Sequence, residues 1–145
     1  MKIKKILVPI DIAHSSELLA DYAGLLSRKL DAGLIVMYVA PDVDELESLH
    51  VPHISLEKVE EEILESARKQ VSSFCEARLT GMEHEIVIRT GKAYREINNI
   101  IAELKIDLVV MGTHGQGGLE RFFFGSTAER VLRGAACPVL TVKLV

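Results

Sequence analysis

The sequence predicts an α/β fold in which a five-stranded parallel sheet, with strand order 3-2-1-4-5, carries helices on both faces. Two observations support this fold class. Strand-like and helical segments alternate along the whole chain, which is typical of right-handed crossovers in a mostly parallel sheet. The strand candidates are also nearly continuous apolar runs, such as Ile6-Leu7-Val8 and Leu108-Val109-Val110, as expected of strands buried on both faces.

The elements follow from apolar periodicity and from the breakers between them. The strands are predicted at Ile3–Ile10, Leu34–Ala40, Glu85–Arg89, Ile106–Met111 and Pro138–Leu144. The helices are predicted from Ser15 or Ser16 to about Leu30, from about Leu56 to Leu79, from Ala93 to Leu104, and from the Gly125-Ser126-Thr127 turn to about Arg133. On the first helix, the residues predicted to face the sheet are Leu18, Leu19, Tyr22, Leu25 and Leu26. On the third helix they are Ile97, Ile100 and Ile101.

Length and composition fit a single globular domain spanning residues 1–145. Hydrophobic residues make up 48% of the chain and charged residues 26%, which supplies enough apolar material for a buried core. The net charge of −4 gives no basic footprint for nucleic acid, so no nucleic-acid partner is expected. The apolar runs are too short for membrane insertion. Two separated cysteines, Cys75 and Cys137, indicate buried, reduced thiols and a cytoplasmic location.

Spaced glycines near the end of the chain form the clearest candidate site. Gly112-Thr113-His114-Gly115 follows the fourth strand, and Gly125-Ser126-Thr127 opens the last helix after a nine-residue spacer. Glycines between a strand and a helix let the backbone approach a ligand and direct N–H groups at it. This arrangement suits an anionic group, most often phosphate.

The predicted strand order brings Asp11 to the same place. Ligands of open α/β sheets bind beyond the carboxyl ends of the strands, where the winding direction switches. With the order 3-2-1-4-5, that point lies between strand 1, which ends at Asp11, and strand 4, which ends at Gly112–Gly115. A carboxylate there suggests a ribose or metal contact, with capping of the following loop as the alternative.

Taken together, these motifs resemble those of the universal stress protein family. The matching segments cover essentially the whole chain: Ile6 to Asp11, Gly91, Asp107 to Gly115, Gly125-Ser126-Thr127 and Cys137 to Val142. Nucleotide-binding members of that family carry G-x-x-G, nine residues, and then Gly followed by Ser or Thr. Gly112, Gly115, Gly125 and Ser126 fit this pattern without a gap. The resemblance implies a Rossmann-like fold of the adenine nucleotide alpha hydrolase type.

The same resemblance implies an ATP site, usually with Mg²⁺. It implies that Asp11 contacts the ribose hydroxyls, and that backbone groups around Val39, at the end of the second strand, hold the adenine. The glycines, Ser126 and Thr127 would hold the phosphates. The implied nucleotide-binding residues are Pro9, Ile10, Asp11, Val39, Met111, Gly112, His114, Gly115, Gly125, Ser126 and Thr127.

Two of these residues have competing interpretations. Ser126-Thr127-Ala128-Glu129 also forms a capping box, in which the Ser126 hydroxyl accepts a hydrogen bond from the N–H of Glu129. A capped helix start still presents other N–H groups and its positive dipole end to phosphate. His114 is either a phosphate contact or a solvated loop residue, since the sequence offers no partner that would make it a general base.

Three functions follow from these patterns. The preferred one is a cytoplasmic, ATP-binding stress-response module that is not an enzyme, because no catalytic base or activated nucleophile stands out. The second is a slow ATPase or self-phosphorylating protein, with Ser126, Thr127 or Thr113 as acceptor. The third is a dimeric interaction protein that binds no nucleotide. The family resemblance also implies a homodimer formed through the last strand, Val139 to Leu144, whose apolar sheet edge invites pairing.

Overall fold

The computed structural model describes residues 1–12, 17–42, 56–113 and 126–144. Its strands are β1 (Lys5–Pro9), β2 (Gly33–Ala40), β3 (His84–Thr90), β4 (Leu108–Gly112) and β5 (Val139–Val142). Its helices are α1 (Glu17–Leu30), α2 (Leu56–Arg78), α3 (Ala93–Leu104) and α4 (Ser126–Gly134). All strand pairs are parallel and the order is β3-β2-β1-β4-β5, so the predicted fold class and strand order are confirmed.

Helices cover both faces of the sheet. Alternate residues of the central strands point to opposite faces, because the side-chain period of a strand is two residues. Val8 and Val110 belong to the core cluster that packs against α1 and α2, whereas Leu7 and Val109 belong to the cluster under α3 and α4. These four side chains are almost completely buried, as expected for the centre of a parallel sheet.

The predicted inward face of α1 is wrong for three of its five residues. Leu18, Tyr22 and Leu25 are each 45% exposed, whereas Leu19 is buried and Leu26 is half-buried. The rest of the buried face consists of small residues, namely Ala20, Ala23 and Gly24. Small residues let the helix backbone lie close to the sheet, and α1 is therefore rotated away from the orientation that its large apolar residues alone predict.

Several strands are shorter than their apolar runs suggest. The start of β4 is a clear case, because Ile106 was predicted as its first residue. Lys105 instead adopts a left-handed conformation with φ 52°, and the N–H of Ile106 donates to the carbonyl of Ile101 at 3.0 Å. Ile106 thus belongs to the turn that ends α3, although its side chain is buried like that of a strand residue.

Both cysteines contact the core as free thiols. Cys75 on α2 is fully buried, and burial raises the pKa of its thiol to about 11. Cys137 is only half-buried, and burial followed by the charge of Asp107 raises its pKa. The expectation of two buried cysteines is therefore met by Cys75 and only in part by Cys137.

None of the helices in the described ranges combines the length and the apolar character needed to cross a bilayer.

The Asp107 carboxylate connects the amino ends of β1 and β4. Its Oδ2 accepts hydrogen bonds from the backbone N–H groups of Lys4 at 2.8 Å and Lys5 at 2.9 Å. These two bonds lower the pKa of Asp107, and the positive charges of the same lysines lower it further.

Replacing Asp107 with Asn should lower the free energy of unfolding at pH 7. A carboxyl group with a depressed folded-state pKa stabilises the fold above its unfolded-state pKa of about 4, and the contribution is lost as the pH falls through the folded-state pKa. The difference in urea midpoint between wild type and Asp107→Asn should therefore be largest near neutral pH and shrink as the pH falls. Asp21→Asn, on the exposed side of α1, is the control for charge loss. A midpoint difference that is independent of pH would contradict this role.

Candidate functional site

The carboxyl ends of β1, β2 and β4 bring the predicted site residues to one edge of the sheet. β1 lies between the other two strands, with Pro9 opposite Met37 of β2 and Leu7 opposite Val109 of β4. α1 and α2 cover one face of the sheet, and α3 and α4 cover the other. The winding direction of the chain therefore switches between β1 and β4, the point at which open α/β sheets bind ligands.

β1 and β2 position the first group of predicted residues. Pro9 ends β1, and the N–H of the buried Ile10 donates to the carbonyl of Met37 at 2.8 Å, which extends the pairing by one residue. The half-buried Asp11 follows directly. Val39 is half-buried and lies one residue before the end of β2. The register that sets Pro9 opposite Met37 brings Asp11 and Val39 to the same level of the edge.

Tyr38 is a neighbour of Asp11 that the sequence analysis did not identify. Its half-buried ring packs on the core cluster of α1 and α2. Burial raises the pKa of Tyr38, and the negative charge of Asp11 raises it further. The available signal was a single hydroxyl-bearing side chain in an otherwise aliphatic strand.

β4 forms the other side of the candidate site at this edge of the sheet. Met111 is buried among the residues under α3 and α4, so the backbone is the part of Met111 that can face a ligand. Gly112 ends β4, and the buried Thr113 follows it. The N–H of Thr113 donates to the carbonyl of Val142 at 3.0 Å, which ties the end of β4 to the end of β5. His114, Gly115 and Gly125 lie outside the described residues.

Gly112 lies directly under the side chain of Leu144. A Cβ atom at Gly112 would collide with Cδ1 of Leu144, whose side chain covers this glycine. Leu144 belongs to the cluster under α1 and α2, so it lies on that face of the sheet. The backbone of Gly112 can approach a ligand at the strand end while Leu144 occupies the space that a larger residue would need.

Replacing Gly112 with Ala should destabilise the fold by about 1–2 kcal/mol, because overpacking forces Leu144 out of its position. The free energy of unfolding should be measured by urea denaturation for wild type, Gly112→Ala, Leu144→Ala and the double variant. In the Leu144→Ala background, Gly112→Ala should lower the free energy of unfolding much less. An equal cost in both backgrounds would show that contact with Leu144 is not the reason for glycine here.

The start of α4 differs from the capping-box prediction. Ser126 is already the first helical residue and is exposed, so it is not the non-helical residue that the box requires. The carboxylate of Glu129 accepts a hydrogen bond from Nη2 of Arg133 at 2.7 Å, one turn further along. The half-buried Thr127 follows Ser126. The capping-box interpretation of Ser126 is therefore wrong.

Tyr94, in the first turn of α3, has positive charges around it. The guanidinium carbon of Arg130 on α4 lies 4.8 Å from the ring centroid, and that of Arg95 lies 5.7 Å away. Nε of Arg95 donates to the Tyr94 hydroxyl at 3.0 Å. This bond lowers the pKa of Tyr94, and the charges of Arg95, Arg130 and Lys92 lower it further.

The described residues contain no group of three or more His, Cys, Asp or Glu side chains that could hold a metal ion.

Comparison with known proteins identifies the group of proteins that shares these features. The sequence model described as the universal stress protein family matches residues 2–143. The chain belongs to the universal stress protein family. Universal stress protein MJ0531 of Methanocaldococcus jannaschii is 36% identical over 143 residues, which cover 97% of this chain and 82% of that protein. Universal stress protein A homolog 2 of Coxiella burnetii is 30% identical over 142 residues, which cover 97% and 95% of the two chains.

Solved structures of universal stress proteins share the fold. The structure of MJ0577, a universal stress protein of Methanocaldococcus jannaschii, matches with a TM-score of 0.83 at 22% identity over 100% of this chain and 99% of that one. A universal stress protein in complex with cAMP matches with a TM-score of 0.65 at 21% identity, covering all of both chains. The Archaeoglobus fulgidus protein in complex with dAMP matches with a TM-score of 0.59 at 21% identity, covering 99% and 100%.

Proposed function

We propose that this universal stress protein is a cytoplasmic ATP-binding module that holds the nucleotide across the sheet edge between β1 and β4. The observation that carries the proposal is that Asp11 follows the end of β1 and Gly112 ends β4, the two strands on either side of the winding switch. The complexes of two family members with cAMP and dAMP support an adenine nucleotide as the ligand class.

In this proposal the nucleotide lies along the edge from β2 to α4. The Asp11 carboxylate accepts hydrogen bonds from the ribose hydroxyls, and the backbone near Val39 contacts the adenine. The phosphates lie at the glycine motif and at the start of α4, where exposed N–H groups and the positive end of the helix dipole favour negative charge. The remaining proposed contacts are Pro9, Ile10, Met111, His114, Gly115, Gly125, Ser126 and Thr127.

Magnesium fits this site as a companion of the phosphates. Mg²⁺ is typically held by one or two carboxylates together with substrate phosphates, and it keeps several waters. Among the described residues, Asp11 is the carboxylate at the carboxyl end of β1, and no cluster of three protein ligands is present. Mg²⁺ would neutralise phosphate charge there, so the affinity for ATP should fall when the cation is removed by chelation.

The proposed activity is binding, with nucleotide occupancy tuning the response to stress. Phosphoryl transfer requires charge positioned on the transferred group and an oriented nucleophile. The guanidinium of Arg130 lies over the ring of Tyr94, and Thr113, one of the three candidate acceptors, is 5% exposed. A single-turnover assay with labelled ATP should release phosphate slowly. Release at tens of molecules per minute that is lost in Asp11→Ala would favour the ATPase alternative.

Binding is tested directly on the purified full chain. The protein is denatured, and small molecules released from it are identified by mass spectrometry. Isothermal titration with ATP, ADP, AMP and GTP follows, with and without Mg²⁺. We expect adenine nucleotide to be released or to bind, with ATP favoured over GTP. A chain that releases no nucleotide and shows no heat with any of the four would contradict the proposal and favour an interaction protein.

We also propose a homodimer formed through Val139 to Leu144. β5 is an edge strand of the sheet, and Leu140 is 39% exposed on it. The carbonyls of Pro138 and Val142 accept hydrogen bonds from N–H groups at the β4 side. Because backbone hydrogen-bonding groups alternate in direction along a parallel strand, the N–H and carbonyl groups of Val139 and Thr141 point away from β4. Unpaired edge groups of this kind are a template for a second strand.

A further inference from the structure

The surface formed by Lys92, Tyr94, Arg95 and Arg130 is here named the Tyr94 cation cluster. It joins the first turn of α3 to α4. Arg95 and Arg130 are exposed, while the ring of Tyr94 packs partly on the core below. The ring therefore provides a fixed platform, and the guanidinium groups at 4.8 Å and 5.7 Å from its centroid face solvent beside it.

The cations of this cluster act together on one hydroxyl, that of Tyr94, and have no ion pair among the described residues. Four other exposed cations form ion pairs, namely Arg89 with Glu103, Arg133 with Glu129, Lys69 with Glu65 and Arg78 with Glu17, whereas cations such as Lys29 and Arg68 have no pair among the described residues and stand apart from one another. Within the same described ranges, Lys92, Arg95 and Arg130 have no such pair. The charges that act on the Tyr94 hydroxyl are all positive. On a chain of net charge −4, this is a local concentration of unbalanced positive charge.

The arrangement favours a ligand with several negative charges. One exposed ion pair contributes little, so a single anion would be held weakly by these groups. A segment that carries successive carboxylates engages several cations at once, and each added contact is intramolecular once the first has formed. The net negative charge of the chain opposes a long polyanion such as nucleic acid, whereas a short acidic segment covers the cluster alone.

We propose that the Tyr94 cation cluster is a docking surface for an acidic peptide segment of a partner protein. Carboxylates of the segment pair with Arg95, Arg130 and Lys92, and the ring of Tyr94 keeps the guanidinium groups in place. The surface does not depend on nucleotide binding at the β1–β4 edge, and its test contains no nucleotide.

The test measures binding of fluorescently labelled octaglutamate to the full-length protein by anisotropy at low ionic strength. Arg95→Gln/Arg130→Gln should weaken binding about tenfold or more, because two of the three contacts are lost. The matched control is Arg89→Gln/Arg133→Gln, which removes the same net charge from arginines that already have partners. The control should change the affinity less than about twofold. Circular dichroism establishes that both variants are folded.

A second readout is spectroscopic. A bound carboxylate segment neutralises the cations that act on Tyr94, so the pKa of its hydroxyl should rise on peptide addition. The ultraviolet absorption of tyrosinate measures this shift, with Tyr94→Phe as the subtracted reference. The proposal is overturned if wild type does not bind the peptide, or if both double variants weaken it equally. Equal affinity for single-stranded DNA of matched charge, or displacement of the peptide by ATP, would also overturn it.

Discussion

Replacing Asp11 with Asn should weaken ATP binding about 10- to 100-fold. A hydrogen bond to a charged group contributes about 1.5–3 kcal/mol, and the asparagine keeps the size of the side chain while removing its charge. The dissociation constant is measured by isothermal titration for wild type, for Asp11→Asn and for Asp21→Asn, an exposed control on α1. The control should bind ATP as wild type does.

Changing the ligand distinguishes loss of the ribose contact from a general loss of the binding site. If Asp11 holds the ribose hydroxyls, wild type should bind 2′,3′-dideoxy-ATP more weakly than ATP, and Asp11→Asn should weaken the dideoxy ligand hardly further. An equal penalty for both ligands would assign Asp11 a different role, such as a contact through the cation. The pKa of Tyr38 should fall towards its ordinary value in this variant, because the charge of Asp11 raises it.

Replacing Thr141 with Pro should abolish dimer formation and leave the monomer folded. The N–H of Thr141 faces away from β4, so proline removes a donor that a second copy would use and spares the ladder inside the sheet. Sedimentation velocity or light scattering should show dimer for wild type and monomer for Thr141→Pro.

Thr141→Val serves as the control for this experiment, because it keeps the backbone donor and the branched shape of the side chain. It should remain dimeric. A proline variant that is folded and still dimeric would place the interface elsewhere on the molecule. If proline instead disrupts the pairing of β5 with β4, the thermal midpoint of the variant should fall strongly.

Alternation and apolar character were sufficient to predict the sheet. α3 begins and ends at the predicted residues, Ala93 and Leu104, because its three buried isoleucines have clear helical spacing. The strand order could be predicted because the fold class restricts crossovers to few arrangements. The buried face of α1 could not be predicted, since Ala20 and Ala23 carry little apolar signal although they pack in the core cluster with β1 and β2.

Site residues could be predicted where their position depends only on the strand that they end or follow. Asp11 and Gly112 are local features of this kind. The proximity of Tyr38 to Asp11 depends on the β1–β2 register, and the stacking of Arg130 on Tyr94 depends on how α3 lies against α4. Leu144 covers Gly112 only because β5 pairs with β4. Such contacts between distant segments have no periodicity that a single sequence can display.

The rate at which the Cys75 thiol reacts reports how often the folded chain opens. Thiolates are the species that alkylating reagents attack, and a pKa of about 11 leaves roughly one thiolate per thousand at pH 8 even before burial blocks the reagent. Cys137 is half-buried and should be modified first. Cys75 can react only when α2 separates from the sheet. The rate at which Cys75 is modified therefore measures how often the native state opens. A ligand that binds only the folded chain should slow that rate, which makes the Cys75 thiol an intrinsic reporter of ligand occupancy.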